Sequence, residues 1–556
     1  MKARNIFLLS GLIFIANTAF LPDDKKAEDD FKTKFYLADD LILDQNYPAA
    51  LEILSALQDM DSSNYNIKWK IATCYLNIGG KKSEAIPYLE EAVQHISMDY
   101  QEDFYLERKV MVFALRDLAH AYHLDYQLES AINMYEQFKN YVNEEEIKAI
   151  DVQINMCYNA QDYMKHPVNV RITNLGEKIN SEGMEHSPVI TADESTLMFT
   201  SRRKESTGGL LDYNGMYFED IFVAYNDEDG WTESAPVKSS YINTNGHEAT
   251  IGLSVDGNTL FIYKDDEGDG SLYQSVLRGE SWSPPTLLGF ELDKFGDYSA
   301  NSDINSKAWE TSAVLSADNN TMYFVSDREG GYGGRDIYKA IRLPNRKWSL
   351  AQNLGPEINS PYDEDAPFIH PDGIQLIFCS NRPESMGGFD IFTTDLLEDG
   401  TWSTPQNVGY PINTTDDDIS YITSVDGKRA YYASTRPGGF GDKDIYVIDL
   451  LAAKEKNLAV IKGIISEQLG RIFGPIVVTD KETNEVMGSY SPDVMTGKFI
   501  FILPQGKDYS ISFQTEDQEY HFKELTIADN SAYSITSSTI DLTLANIPDA
   551  VEVPLH

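Results

Sequence analysis

One unit recurs five times between residues 180 and 426, and it constrains the fold of this chain more than any other feature. Each copy begins with Ile-Asn-Ser or Ile-Asn-Thr, carries an acid five residues after the Asn, and places an Asp eight residues after that acid. The copies are Asn180, Glu185 and Asp193; Asn243, Glu248 and Asp256; Asn305, Glu310 and Asp318; Asn359, Glu364 and Asp372; and Asn413, Asp418 and Asp426. After the turn Asp comes an apolar strand such as Leu376-Ile377-Phe378-Cys379. Ser-x-Arg, a Gly-rich turn and Asp-Ile-Tyr or Asp-Ile-Phe follow in four of the copies. A Trp strand closes four units, at Trp231, Trp282, Trp348 and Trp402.

Four short strands per unit at a period of 54 to 63 residues are what the blades of a β-propeller require. The fifth unit ends at Asp444-Ile445-Tyr446 without a Trp strand, whereas residues 168–174 precede the first unit where an outer strand should stand. The N-terminal strand is therefore expected to complete the last blade and remove an open edge. This favours five blades, with a degenerate element at 289–303 as the six-blade alternative. Ser-x-Arg and Asp-Ile-Tyr suggest a structural salt bridge within each blade, pairing Arg203 with Asp220, Arg328 with Asp336, Arg382 with Asp390, and Arg436 with Asp444. The second blade has Asp265 and Ser271 at these positions and loses both partners together, as expected if one charge buried alone is costly. The repeated acids Glu185, Glu248, Glu310, Glu364 and Asp418 are expected to ring one mouth of the central channel. They serve either as braces accepting hydrogen bonds from the adjacent blade or as a site for a cation or Lys-rich segment.

Residues 31–164 show helical spacing. Three sets of small and aromatic residues recur: Ala38, Leu41, Ala50 and Leu54; Ala72, Tyr75, Ala85 and Tyr88; Ala119, Tyr122, Ala131 and Tyr135. The sets resemble tetratricopeptide repeats, in which small residues let two helices approach and aromatics fill the groove between them. An ordinary helical bundle is the alternative. The repeat of 167–450 resembles the TolB-type, WD-like propellers of Gram-negative envelope proteins, which bind proteins. Thr496-Gly497-Lys498-Phe499, Leu503-Pro504-Gln505-Gly506 and the strand at 509–513 give 458–546 a resemblance to the carboxypeptidase regulatory-like, transthyretin-type β-sandwich. A tail, 547–556, follows. The fold class is thus multidomain: an all-α repeat arm, an all-β five-bladed propeller and a transthyretin-like sandwich. The arm and propeller are expected to fold as separable units joined near Lys165-His166-Pro167.

The ends and the charge bound the compartment and partners. Met1-Lys2-Ala3-Arg4, an apolar run to Ala16 and small residues to Ala19 read as a secretory signal peptide of residues 1–19. Cleavage after Ala19 and retention as an uncleaved anchor are both compatible with Asn17 at the −3 position. No later apolar run is long enough to span a bilayer, so the mature chain is expected to be soluble. A net charge of −43 opposes binding to nucleic acid or anionic headgroups. The three cysteines, Cys74, Cys157 and Cys379, build no disulfide framework and read as buried thiols.

Motifs for catalysis and metal binding are missing from the sequence. It has no Gly-x-Ser-x-Gly elbow, His-Glu-x-x-His, Cys-x-x-Cys or phosphate-binding Gly-rich loop. Asp265-Asp266-Glu267-Gly268-Asp269-Gly270 begins like a calcium loop but has Val276 where a bidentate Glu belongs, so it reads as a blade turn. His521 and His556 have no metal-ligand spacing. No enzyme activity, cofactor or metal is expected. The order of segments resembles the PorE-like, OmpA-family envelope proteins associated with type IX secretion and gliding motility. That resemblance implies a periplasmic scaffold at the outer membrane, bound to an outer-membrane β-barrel or a type IX translocon component. The relatives carry a C-terminal OmpA-type domain where this sequence ends at His556, so peptidoglycan binding is not expected. A carbohydrate- or ligand-binding propeller is the alternative.

Overall fold

A computed structural model describes residues 23–264, 270–292, 298–300, 303–345, 347–464, 475–493, 495–514, 520–529 and 534–537. The signal and its cleavage point, the acidic turn with Asp265, the tail 547–556 and His556 lie outside these residues.

Seven α-helices come first: α1 (Asp23–Leu43), α2 (Tyr47–Met60), α3 (Tyr65–Leu76), α4 (Ala85–Ala92), α5 (Ala114–Leu124), α6 (Leu128–Phe138) and α7 (Glu144–Lys165). Asparagines start three of them. Asn46 accepts from the Ala49 amide and Asn64 from the Ile67 amide, while Asn143 forms a capping box with Glu146, each satisfying donors that a helix start leaves open. Helices α1 and α2, α3 and α4, and α5 and α6 pack as sequential pairs. Ala38, Ala50, Ala72, Ala85, Ala119 and Ala131 are all fully buried, because only a methyl group fits where two helix backbones approach closely. Among the described residues no helix is long and apolar enough to cross a membrane.

Five antiparallel sheets follow. The first runs Glu185–Ile190, Thr196–Ser201 and Asp220–Asp227, with Gly230–Trp231 and Ala235–Pro236 both on the last strand. The second runs Glu248–Leu253, Thr259–Lys264 and Ser271–Arg278, with Ser281–Trp282 and Thr286–Leu287 outside. The third is Ala313–Leu315, Thr321–Ser326, Asp336–Ile341 and Gln352–Asn353, and the fourth is Glu364–Ile369, Gln375–Ser380, Asp390–Asp395 and Gln406–Asn407. The fifth takes Asp418–Thr423, Arg429–Ser434 and Asp444–Leu450 from its own repeat and its outer strand, Val170–Asn174, from ahead of the first sheet. The first strands of successive sheets lie against one another, and that of the fifth lies against that of the first. Between the second and third sheets, Phe290–Leu292 and Tyr298–Ala300 pair with each other.

Among the described residues the C-terminal module has two sheets. One orders Lys498–Pro504, Leu458–Ile464 and Ser534–Ser537, and the other Val486–Tyr490, Ile476–Asp480, Lys507–Gln514 and Tyr520–Ile527. Ile461, Val478, Tyr490, Phe501 and Tyr509 fill the space between them.

The two flanking modules occupy opposite ends of the five sheets. Turns between first and second strands meet the C-terminal module: Ala192 and Val425 pack with Leu458, Val460 and Ile502, and Lys462 and Lys456 pair with the turn residues Asp193 and Asp372. Turns between second and third strands meet the helices. Met386 from the fourth sheet belongs to the helical core of α5, α6 and α7, and burying a side chain of that size contributes about 1.5–3 kcal/mol. His123 Nε2 donates to the Met386 carbonyl at 2.9 Å, and burial pushes its pKa down to about 4, so it docks as a neutral donor. Lys82 pairs with Asp416 at 2.7 Å, and Asn159 donates to the carbonyls of Pro383 and Ser385. The arm expected as a separable unit thus shares a core and a polar interface with the fourth and fifth sheets.

Candidate binding cleft and the residues that frame it

The repeated polar residues hold the sheets together from within. In the fourth sheet Glu364, Ser380 and Asp390 stand abreast on three adjacent strands. Glu364 accepts from the Ser360 amide at 2.8 Å, Ser360 Oγ at 2.6 Å, Ser380 Oγ at 2.9 Å and Arg382 Nη2 at 2.8 Å. Arg382 lies over Phe378 and Phe392, 5.1 Å from each ring centroid. Glu185 with Arg203, and Glu310 with Arg328, repeat this hub at 2.8 and 3.1 Å. Hydrogen bonds to a charged group contribute about 1.5–3 kcal/mol each. Burial still raises the Glu364 pKa despite the Ser360 and Arg382 bonds.

Two expectations are corrected here. The arginines do not pair with Asp220, Asp336, Asp390 and Asp444. Arg203, Arg328 and Arg382 turn inward to the glutamates, while the Gly-rich turn folds over each Asp and supplies backbone donors. Asp336 accepts from the Tyr332 and Gly333 amides, Asp390 from Met386, Asp444 from Phe440 and Gly441, and Asp220 from Thr207. A Cβ at Gly331 would come within 2.5 Å of Asp336 Oδ2, so the wrap requires glycine there. Nor do Glu185, Glu248, Glu310, Glu364 and Asp418 ring a channel mouth. Their exposures are 0, 2, 1, 0 and 0%, and their carboxylates bond within their own repeat, whereas the backbone amides of Glu185, Glu248, Glu364 and Asp418 donate to carbonyls of the preceding sheet.

The departures in the second and fifth sheets follow the same logic. Ser271 replaces the Asp in the second sheet, and Lys264 takes the serine position, where its ammonium lies 3.1 Å from Glu248. The cation thus stays with the Glu after the Asp is gone. In the fifth sheet Tyr432 stands where Phe378 stands in the fourth, and the acid is the shorter Asp418. Arg436 turns to the Pro411 and Ile412 carbonyls over the Tyr432 and Tyr446 rings. Asp418 keeps Ser434 and Thr414 as donors, and burial pushes its pKa up to about 6.

The repeated Asn is the staple between sheets. Asn359 accepts from the Ile337 amide at 2.8 Å and donates to the Ile337 carbonyl at 3.0 Å, on the third strand of the preceding sheet. Asn243, Asn305 and Asn413 do the same to Ile221, Leu272 and Ile391, and Asn180 does so to Ile445 across the junction of the last sheet with the first. Asn353, Asn407 and Asn174 on the outer strands each bridge this Asn to the turn-wrapped Asp.

Inside the ring of first strands lies a cavity of about 350 Å³. Its walls are mostly apolar, with Val189, Ile251, Val314, Phe368 and Ile422 among them. Ser187, Ala366 and Ser420 line it with φ of 50, 47 and 56° at equivalent positions, beside bulges that shift the register of their strands. Such backbone is strained for residues with a Cβ and concentrates at functional sites. Arg335 pairs there with Asp365, which also accepts from Thr311 and Ser312, and lies 5.4 Å from the Phe389 ring centroid. Phe389 and Asp417 also line a second cavity of about 590 Å³ between arm and sheets, and its His120, Ala149 and Gln153 continue into a groove of about 640 Å³ in the arm. The three hollows thus adjoin in sequence from the arm groove to the centre of the sheets, each sharing lining residues with the next. Arg335 and Asp365 escaped the sequence reading because they do not recur; their only signal is departure from the repeat.

No family model matches this chain, and no curated protein matches it. Among solved structures it aligns with a TolB-type protein from Agrobacterium tumefaciens at 14% identity and TM-score 0.30, over 60% of this chain and 97% of that one. It aligns with TolB from Acinetobacter baumannii at 12% and 0.25, over 64% and 67%. A thermostable family-43 glycoside hydrolase aligns at 12% and 0.33, over 49% and 91%. Likenesses this distant assign neither an activity nor a partner to the chain.

Proposed function

We propose that the five sheets are the blades of a five-bladed, TolB-type propeller with a tetratricopeptide-like arm and a carboxypeptidase regulatory-like sandwich. The assembly is a non-enzymatic scaffold of the periplasm, bound to an outer-membrane protein or a secretion translocon of the type IX or gliding machinery. The observation that carries the binding role is the hollow lined by both arm and sheets, since a partner segment lying there would touch both modules. The repeated acids, serines and arginines support a structural use of the charged residues, because they are engaged with one another inside the sheets. Co-purification from envelope extracts of the native host, read by mass spectrometry, tests the proposal. A stable complex with an outer-membrane protein, lost on Gln153→Arg in the arm cleft, is the expected result. The apolar central cavity favours a second reading, a carbohydrate- or ligand-binding propeller; retention on glycans with no protein partner would replace the scaffold by it.

A further inference from the structure

The turn between second and third strands holds nine residues in the third, fourth and fifth sheets (327–335, 381–389, 435–443) but eighteen in the first (202–219). The extra length folds as a hairpin, with Leu211 bridged to Tyr217 and the Phe218 amide donating to the Leu210 carbonyl. It leaves Leu210, Leu211 and Tyr213 50, 55 and 67% exposed. Two neighbouring segments add Leu43 at the end of α1, 80% exposed, and Tyr241 before the second sheet, 56% exposed. The hairpin touches both segments: a Cβ at Gly215 or at Gly208 would come within 2.7 Å of Asn46 or Asn245, respectively. Large apolar side chains grouped on a surface in this way mark a contact site.

The hairpin is also held in place. Glu219, at its end, has His186 and His247 each 3.6 Å from a carboxylate oxygen, and His247 Nε2 lies 3.3 Å from Asp212 in the hairpin. Arg202 donates to the Tyr217 carbonyl at 2.8 Å and lies 3.6 Å from Asp212. Burial opposes the charge on Glu219, but the His186 and His247 bonds outweigh it and hold the carboxyl below its usual range. Fixing exposed anchors before contact lowers the ordering cost of association. The exposed charges of these segments, Asp40, Asp44 and Glu205 against Lys204 and Lys238, are net acidic by one charge.

We propose that Leu210, Leu211 and Tyr213, with Leu43 and Tyr241, form a docking surface for a separate protein that presents an apolar pocket rimmed by Lys and Arg. This rests on the scaffold reading and names where the partner is gripped. The test places photoreactive benzoylphenylalanine at Tyr213 of the full chain in its native host. Parallel copies carry it at Gln153 in the arm cleft and at Tyr332, the 51% exposed aromatic in the corresponding turn of the third sheet. A discrete adduct with another protein is expected from Tyr213 and not from Tyr332. Leu211→Asp should reduce it at least about tenfold, and raising salt from about 0.05 to 0.5 M should weaken it several-fold by screening the acidic rim. If Leu211→Asp shifts the melting temperature, Leu210→Ser is read in its place. No adduct, an adduct only with lipid or with a second copy of the chain, or one indifferent to these changes would overturn the proposal. Protein adducts from Gln153 but none from Tyr213 would remove the docking surface and leave the scaffold standing, whereas none from either would remove both.

Discussion

Asn359→Ala removes one side chain and strands the Ile337 N–H, while the Ile337 carbonyl keeps its bond from the Leu354 amide. Asn359 is 2% exposed, and its amide is the partner of both the N–H and the C=O of Ile337. Ala cannot replace either bond, and the buried site leaves little access for water to do so. A buried orphan costs about 1–3 kcal/mol and the lost bond to the carbonyl about 0.5–1.5 kcal/mol, so the substitution costs about 1.5–4.5 kcal/mol in all. For a unit of this size each kcal/mol moves the melting temperature by about 2–4 °C, which predicts a drop of about 3–18 °C. Differential scanning calorimetry of the full chain reads the shift directly. Asn345→Ala is the control: that residue is exposed and its side chain accepts from the Lys347 amide nearby, so a change within about 0.5 kcal/mol is expected. A melting temperature for Asn359→Ala within about 2 °C of the unaltered protein would refute the idea that these asparagines join the sheets.

Three further outcomes are expected. Lys264→Met leaves Glu248 buried without its cation and should destabilise by about 3–5 kcal/mol; adding Glu248→Gln should recover much of the loss, and urea titration of both variants shows whether it does. Asp418 has a folded pKa of about 6 against an ordinary 3.8, so the native state holds its proton more tightly. The stabilisation is full below about pH 4 and lost as pH rises through 6, about 3 kcal/mol in all. Asp418→Asn should therefore match or exceed the unaltered protein at pH 7 and lose its advantage near pH 4; a less stable variant at pH 7 would contradict this. The His247 pKa is raised chiefly by its bond to Glu219, whose own is lowered. The first contribution is lost as pH rises above about 6.5 and the second as it falls below about 4.5. Hydrogen-exchange protection of the 210–218 hairpin, taken relative to the intrinsic rate at each pH, should be greatest between those values, and protection that stays constant across pH 4–8 would count against the cluster.

The strand order was legible because its signals are local. Period-two apolar runs, turn aspartates and the surplus strand at 168–174 are set by neighbours in sequence, and Val170–Asn174 does pair with Asp444–Leu450. The six alanines of the arm were legible for the same reason, since close helix approach demands a small side chain wherever it occurs. The partners of the repeated charges were not. Glu364 and Asp390 flank Ser380 symmetrically in the ladder, so spacing alone gives Arg382 two carboxylates to choose between. What decides is the Gly-rich turn, which closes over Asp390 with backbone N–H groups and leaves the guanidinium the Glu364 side. The cavity, the docked arm and the pinned hairpin lay further out of reach. They bring together Arg335 with Asp365, His123 with Met386, and Asp212 with His247. None of these residues recurs from unit to unit, and only the closing of the chain in three dimensions makes them neighbours.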